Sequence, residues 1–224
     1  MGPRGDVIVE ADWCIGELYK TLDNEGLLDN TLIIFSSDNG PVLNDGYYDD
    51  AVEKLGDHTP SGGLRGGKYS LFEAGTKVPF ISYWRGKINP GVSNELISQV
   101  DLLNSISSII GSEFKSNDGI DLSDLLLRNK GKGRDHLVVE ASTRTAFRKG
   151  DWVIIPPYDA PALNQNVNIE LGNSNNFQLY NLEDDPSQKN NLAKIEKEKL
   201  KEIYNEFLKI RGDDFSNIES LKLE

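Results

Sequence analysis

The sequence predicts an α/β domain, a sheet flanked by helices, followed by a small α+β subdomain with antiparallel strands. Three observations carry this. Thr31-Leu-Ile-Ile-Phe35 is an unbroken apolar and β-branched run of strand length, the pattern of a strand covered on both faces in a parallel sheet. Helix-period stripes lie on either side of it in the chain. Beyond Arg134, three short strand-like runs separated by turn residues precede one long helix, the grammar of an α+β unit. The boundaries follow: residues 1–130 form the first unit, and residues 135–224 the second.

In chain order, residues 6–23 read as an amphipathic helix, with Val7, Ala11, Cys14, Ile15, Leu18 and Leu22 at three- and four-residue spacing. Gly26 supplies the left-handed stop, and Cys14, on the apolar stripe, is expected as a packed core thiol. After the run ending at Phe35 comes a polar segment, residues 42–68, longer than an ordinary connection and therefore a candidate functional loop. Val78 to Trp84 reads as a second strand, with Pro79 interrupting its ladder. Asp101 is placed to cap a helix carrying Leu102, Leu103, Ile106, Ile109 and Ile110, which Gly111 ends. A short helix around Leu122 to Leu127 leads into Asn129-Lys-Gly-Lys-Gly-Arg134, which has linker composition. The runs Leu137 to Ala141, Trp152 to Ile155 and Phe177 to Leu182 are the later strands, and Gln188 to Lys209 the final helix.

A length of 224 residues supports one large domain or two modest ones. The formal net charge of −12 argues against a nucleic-acid backbone as the main partner, since neutralising phosphates needs a basic surface. It does not exclude one basic pocket for a small anion. A single cysteine rules out an internal disulfide, and no apolar stretch approaches the roughly 18 residues that span a bilayer. The first six residues lack the apolar core of a signal peptide, which leaves the location unknown.

Two segments carry chemistry. Asp38 and Asn39 follow the strand-forming run directly, and the carboxyl ends of such strands are where α/β proteins bind ligands. Together they offer two hard oxygen donors of the kind Ca²⁺ or Mg²⁺ takes, or else they simply form a turn with Gly40 and Pro41. In Gly62-Gly-Leu-Arg-Gly-Gly-Lys68, glycines flank Arg65 and Lys68, so backbone and two cations can approach one oxyanion; a solvated basic turn is the alternative. The glycine spacing is not that of a P-loop. His58, in the long loop, is placed to donate to a substrate hydroxyl or leaving-group oxygen, or is a surface histidine; His136 reads as structural. Asp45, Tyr47, Tyr48 and Asp49 either line a sugar cleft or solubilise the loop.

Phe35-Ser-Ser-Asp-Asn-Gly-Pro41, Leu64-Arg-Gly-Gly-Lys-Tyr-Ser70 and Phe72-Glu-Ala-Gly-Thr-Lys-Val-Pro-Phe80, in this order, resemble the second half of a type I sulfatase of the alkaline phosphatase superfamily. Gln99-Val-Asp-Leu-Leu103 is similar to the family's helix after the core sheet, and Phe177 to Ala193 to its C-terminal motif. The resemblance implies part of an alkaline-phosphatase-like sheet. It implies Asp38 and Asn39 as ligands of an active-site Ca²⁺, with Mg²⁺ the alternative, and Lys68 as the catalytic contact to sulfate oxygens; His58 and Arg65 are candidate substrate-binding residues from their places in the sequence, not from the resemblance. The implied reaction is hydrolysis of a sulfuric ester, a sulfated small molecule or polysaccharide, in the periplasm or outside the cell.

The sequence departs from the family in two respects. No Cys/Ser-x-Pro-x-Arg run, the source of the formylglycine nucleophile, occurs here, and Cys14 is followed by Ile15-Gly-Glu-Leu18. The family's early pair of acidic metal ligands is also absent. The chain is therefore expected to be the C-terminal part of a sulfatase, inactive alone, whose partner is the missing N-terminal half. The alternatives are a phosphodiesterase or phosphonate hydrolase of the same superfamily, or a non-catalytic glycan- or anion-binding module.

Overall fold

A computed structural model describes residues 1–211; the remainder of the second sequence-predicted unit lies outside the described residues. Helix α1 spans Gly2–Asn24 and is tethered at its C-terminal end, where Arg85 pairs with Asp23 at 2.6 Å and Tyr19 packs its ring on Tyr83. Strand β1, Ile33–Ser36, pairs antiparallel with β2, Phe80–Tyr83, in the register Ile33–Tyr83 to Ser36–Phe80. Helix α2, Asp101–Ile110, ends at Gly111 in the left-handed conformation, and α3, Ser123–Arg128, ends the same way at Asn129.

The second half is a four-stranded antiparallel sheet in the order β3–β4–β5–β8: β3 is His136–Ala141, β4 Arg144–Lys149, β5 Trp152–Ile155 and β8 Gln178–Asn181. A small hairpin, β6 (Leu163–Asn164) with β7 (Ile169–Glu170), projects between β5 and β8, and α4, Lys197–Arg211, closes the chain. The core sits here. On one face of the sheet, Phe147, Ile154 and Leu179 pack against Ile203 and Phe207 of α4, all essentially solvent-free. On the other face, Ala146, Ile155 and Tyr180 pack against Leu71 and Phe72 of the first unit. The glycine-rich segment thus rests directly on the four-stranded sheet.

Four sequence expectations need correction. Strand β1 is not covered on both faces between parallel neighbours: among the described residues its one partner is antiparallel, and Phe35 and Ile81 remain exposed. An apolar run specifies an extended, buried-type segment but not the direction of its neighbour. Cys14 is exposed rather than packed, as are Val7, Val9, Trp13 and Leu18, because nothing among the described residues covers that stripe of α1. Asp101 is the first residue of α2, not its N-cap, and its carboxylate serves more than the helix end. It accepts from the backbone of Ser98 and Ile120 and pairs with Arg134, which is thereby an anchor and not a linker residue. Finally, α4 begins at Lys197, since residues 188–196 form turns. The sequence also gave no sign of β4, whose charged ends, Arg144, Arg148 and Lys149, hide the buried Thr145-Ala-Phe147 between them.

Candidate functional site

Three loops meet backbone to backbone. The turn after β1 carries Asp38, Asn39 and Gly40; Gly40 donates its N–H to the Gly75 carbonyl at 2.9 Å. The backbone N–H of Lys68 donates to the Pro41 carbonyl at 3.0 Å, and that of Ala74 to Arg65 at 3.0 Å. Such an approach needs residues without side chains at the crossings. A Cβ on Gly40 would stand 1.6 Å from the Ala74 carbonyl oxygen, and one on Gly67 would stand 2.5 Å from that of Pro41. Gly40 and Gly67 therefore let the Lys68 backbone cross the chain just after Asp38 and Asn39, two motifs about 30 positions apart in the sequence.

Within that turn, Asp38 accepts the N–H of Asn39 through Oδ1, and Asn39 donates its side-chain amide to the Gly40 carbonyl. This leaves Asp38 Oδ2 and Asn39 Oδ1 without hydrogen-bond donors among the described residues. Gln99, at the start of the segment leading into α2, holds the preceding strand end through Ser36 Oγ at 3.1 Å. No group of three or more His, Cys, Asp or Glu side chains among the described residues could hold a metal ion. Asp38 and Asn39 accordingly fit as two oxygen donors of a larger set, against the about six to eight that Ca²⁺ takes.

Lys68 points its ammonium at Asp45, Nζ to Oδ2 at 2.8 Å, and Tyr69 donates its hydroxyl to the other carboxylate oxygen at 3.1 Å. The Lys68 hydrogen bond holds Asp45 below the usual carboxylate range, and the same contact raises Lys68, so both are charged at neutral pH. An ammonium has three donors, and one goes to Asp45, so two remain for an incoming oxyanion.

Arg65 has a different setting. Its Nε and Nη2 form a two-pronged contact with Glu170 at 2.8 and 2.7 Å, Nη1 donates to the Gln188 carbonyl at 2.8 Å, and the guanidinium lies 4.0 Å over the Phe72 ring. Arg65 is thus a strut between the glycine-rich segment and the second unit, a role not evident from its place beside Lys68. Gln188, wholly buried, returns the contact by accepting the Glu73 N–H at 2.7 Å. Ser70 donates to the Glu170 carbonyl, and Leu71 to that of Leu171. His58 is half-buried in the turns of residues 50–64 and makes no hydrogen bond among the described residues. His136 packs its ring 5.7 Å from Phe147. Tyr47 and Tyr48 are exposed, and Asp49 closes a turn onto Ala51. Glu170 has no sequence signal of its own, because its partner Arg65 lies more than a hundred residues away; Tyr180 and Gln188 fall within the motif at Phe177 to Ala193, which does not reveal their contacts with the glycine-rich segment.

The chain belongs to the sulfatase family, whose family model, Sulfatase, matches residues 1–112. Among individual proteins, it is 45% identical over 207 residues to the N-acetylgalactosamine-6-O-sulfatase of Bacteroides thetaiotaomicron, covering 91% of this chain and 40% of that enzyme. It is 38% identical to arylsulfatase A of Bos taurus over 60% of this chain and 25% of that protein. A solved 6S-sulf structure from Bacteroides thetaiotaomicron, described with the metabolism of multiple glycosaminoglycans, superposes with a TM-score of 0.89 at 42% identity, covering 94% of this chain and 45% of that one. The PsFucS1 sulfatase of a Pseudoalteromonas species gives a TM-score of 0.72 at 29% identity, over 96% and 44%. The chain therefore spans less than half the length of these relatives. Among the described residues no helix is long and apolar enough to cross a membrane.

Proposed function

We propose that the chain is the part of a carbohydrate sulfatase that supplies the sulfate-binding lysine and two metal-ligand oxygens, and that the intact protein hydrolyses the sulfuric ester of an amino sugar. One observation carries this above the others: the Lys68 backbone is bonded to the Asp38–Asn39–Gly40–Pro41 turn, so a cation and a hard-oxygen pair share one ridge. The likeness to an N-acetylgalactosamine-6-O-sulfatase supports the sugar class.

Lys68 binds the non-bridging sulfate oxygens through its two remaining donors and offsets their charge as the ester bond breaks. Asp38 Oδ2 and Asn39 Oδ1 would hold Ca²⁺, or Mg²⁺ in its place, and such a cation supplies Lewis-acid polarisation of the ester when bound. Arg65 acts through position, fixing the segment that carries Lys68. His58 is assigned to substrate contact on its place in the loop alone. The nucleophile, a formylglycine, belongs to the N-terminal half, so residues 1–224 by themselves turn over nothing.

The test is hydrolysis by the intact protein carrying this segment, with N-acetylgalactosamine 6-sulfate and the matching phosphate monoester compared with and without Ca²⁺. Release of sulfate dependent on the cation, with little phosphate release, is expected. Preference for the phosphate ester would move the assignment to a phosphoryl hydrolase, and activity from residues 1–224 alone would overturn the division of labour.

A further inference from the structure

Beside Lys68 lies a depression of about 390 Å³, lined by Asn44, Asp45, Gly46, Tyr69, Asn164, Asn166 and Val167. That volume falls in the about 300–1,000 Å³ range of small-molecule sites. Its two walls come from segments about 100 residues apart in the chain. One is the loop carrying Asp45 and Tyr69; the other is the tip of the β6–β7 hairpin, where the N–H of Asn166 donates to Asn164 Oδ1 at 3.1 Å. The hairpin is fixed against the Lys68 segment by the Arg65–Glu170 pair, by Ser70 donating to Glu170, and by Ile169, whose side chain lies 3.2 Å from where a Gly67 Cβ would stand. Tyr69 adopts φ +75°, a conformation that bulky residues rarely take, which marks a residue held in place by its surroundings. The Lys68 ammonium lies 5.2 Å from the Tyr69 ring, so the depression opens next to the proposed sulfate position.

The lining chemistry is narrow. Three asparagine amides both donate and accept, a carboxylate accepts, and a tyrosine offers an aromatic face and a hydroxyl. Sugar hydroxyls and an acetamido group match that set. No cation is among the lining residues, and Asp45 is anionic, so a second negative group on the same ring would meet repulsion.

We propose that this depression is the subsite for an uncharged pyranose ring bearing the sulfate, with Asn164 and Asn166 of the hairpin and Asn44 and Asp45 of the loop as its recognition residues. The assignment rests on Lys68 as the sulfate contact. It divides ring recognition between the loop and the hairpin, beside the sulfate contact at Lys68, with the Arg65 strut holding loop and hairpin in register.

The experiment measures dissociation constants by calorimetry on the intact protein carrying this segment, for inorganic sulfate, N-acetylgalactosamine 6-sulfate, and a disulfated form of the same ring. The monosulfated sugar is expected to bind at least tenfold more tightly than inorganic sulfate, and the disulfated ring more weakly than the monosulfated one. In Asn166→Ala the preference for sugar sulfate over sulfate should shrink toward unity. Asn164→Ala should do the same; because Asn164 also shapes the turn, Asn166→Ala is the decisive variant. A preference unchanged in Asn166→Ala would overturn the subsite, and a disulfated ring bound as tightly as the monosulfated one would overturn its neutrality. Sulfate and sugar sulfate binding that both survive Lys68→Ala would instead overturn the sulfate reading on which the subsite rests.

Discussion

Replacing Arg65 with alanine removes a strut whose contributions can be counted. The Gln188 carbonyl loses a donor at a residue with no solvent exposure, a loss of about 1–3 kcal/mol for an unsatisfied buried acceptor. The Glu170 side chain is 50% exposed, so its ion pair contributes only about 0.2–1 kcal/mol despite its two-pronged geometry. The guanidinium over Phe72 adds about 0.5–1 kcal/mol. Allowing for non-additivity among neighbours, Arg65→Ala should destabilise by about 2–4 kcal/mol. At about 2–4 °C per kcal/mol for a cooperative unit of this size, the unfolding midpoint falls by about 5–15 °C. Circular dichroism melts of wild type, Arg65→Ala, Glu170→Ala and the double variant measure both the total and the coupling. The pH dependence has a fixed sign. The Arg65 hydrogen bond depresses Glu170, so the pair's contribution is fully present above the ordinary glutamate value of about 4.3 and is lost as pH falls through the lower folded value. The gap between wild type and Arg65→Ala should therefore narrow below about pH 4. A midpoint change under about 2 °C, or a coupling between Arg65 and Glu170 of zero, would refute the strut.

Asp101→Ala should destabilise by about 3–5 kcal/mol in urea titrations, because Asp101 is 2% exposed and its removal strands Arg134 and two backbone donors; a loss below about 1 kcal/mol would show the pair to be dispensable. Gly40→Ala drives a Cβ into the Ala74 carbonyl, so the Asp38–Asn39 turn must shift. Calorimetric Ca²⁺ affinity of the intact protein should fall with it, and unchanged affinity would separate that turn from the metal. Asp45→Asn removes the anion facing Lys68, and inorganic sulfate should then bind several-fold more tightly; weaker binding would mean that Asp45 organises the lysine rather than competing for it.

What the sequence made legible was local. Gly111 as a helix stop, the antiparallel strands at 136–141, 152–155 and 178–181, and the order of the sulfatase motifs can all be read from short windows, because propensity, turn chemistry and motif spacing are local quantities. What needed the structure was long-range. Arg65 stands next to Lys68 in sequence, yet its partners are Glu170 and Gln188, so a basic residue in a glycine-rich loop turned out to be a tie between units. Strand β4 was hidden because its burial depends on what covers both faces, α4 on one side and Leu71 and Phe72 on the other. Cys14 shows the converse: its spacing marks an apolar stripe, but a stripe is buried only where something lies on it. Asp45 was one of several acidic and aromatic loop candidates, and only its 2.8 Å contact distinguishes it from Asp49 and the exposed tyrosines.

The central claim is that Lys68 meets the sulfate. Its most direct test is the turnover of N-acetylgalactosamine 6-sulfate by the intact protein carrying this segment, wild type against Lys68→Ala, with a melt of each confirming that the fold persists. Loss of one preorganised cation at the site of developing charge predicts a fall in kcat of about 10²- to 10³-fold with the unfolding midpoint little changed. A variant that retains near-normal kcat would contradict the account at its root.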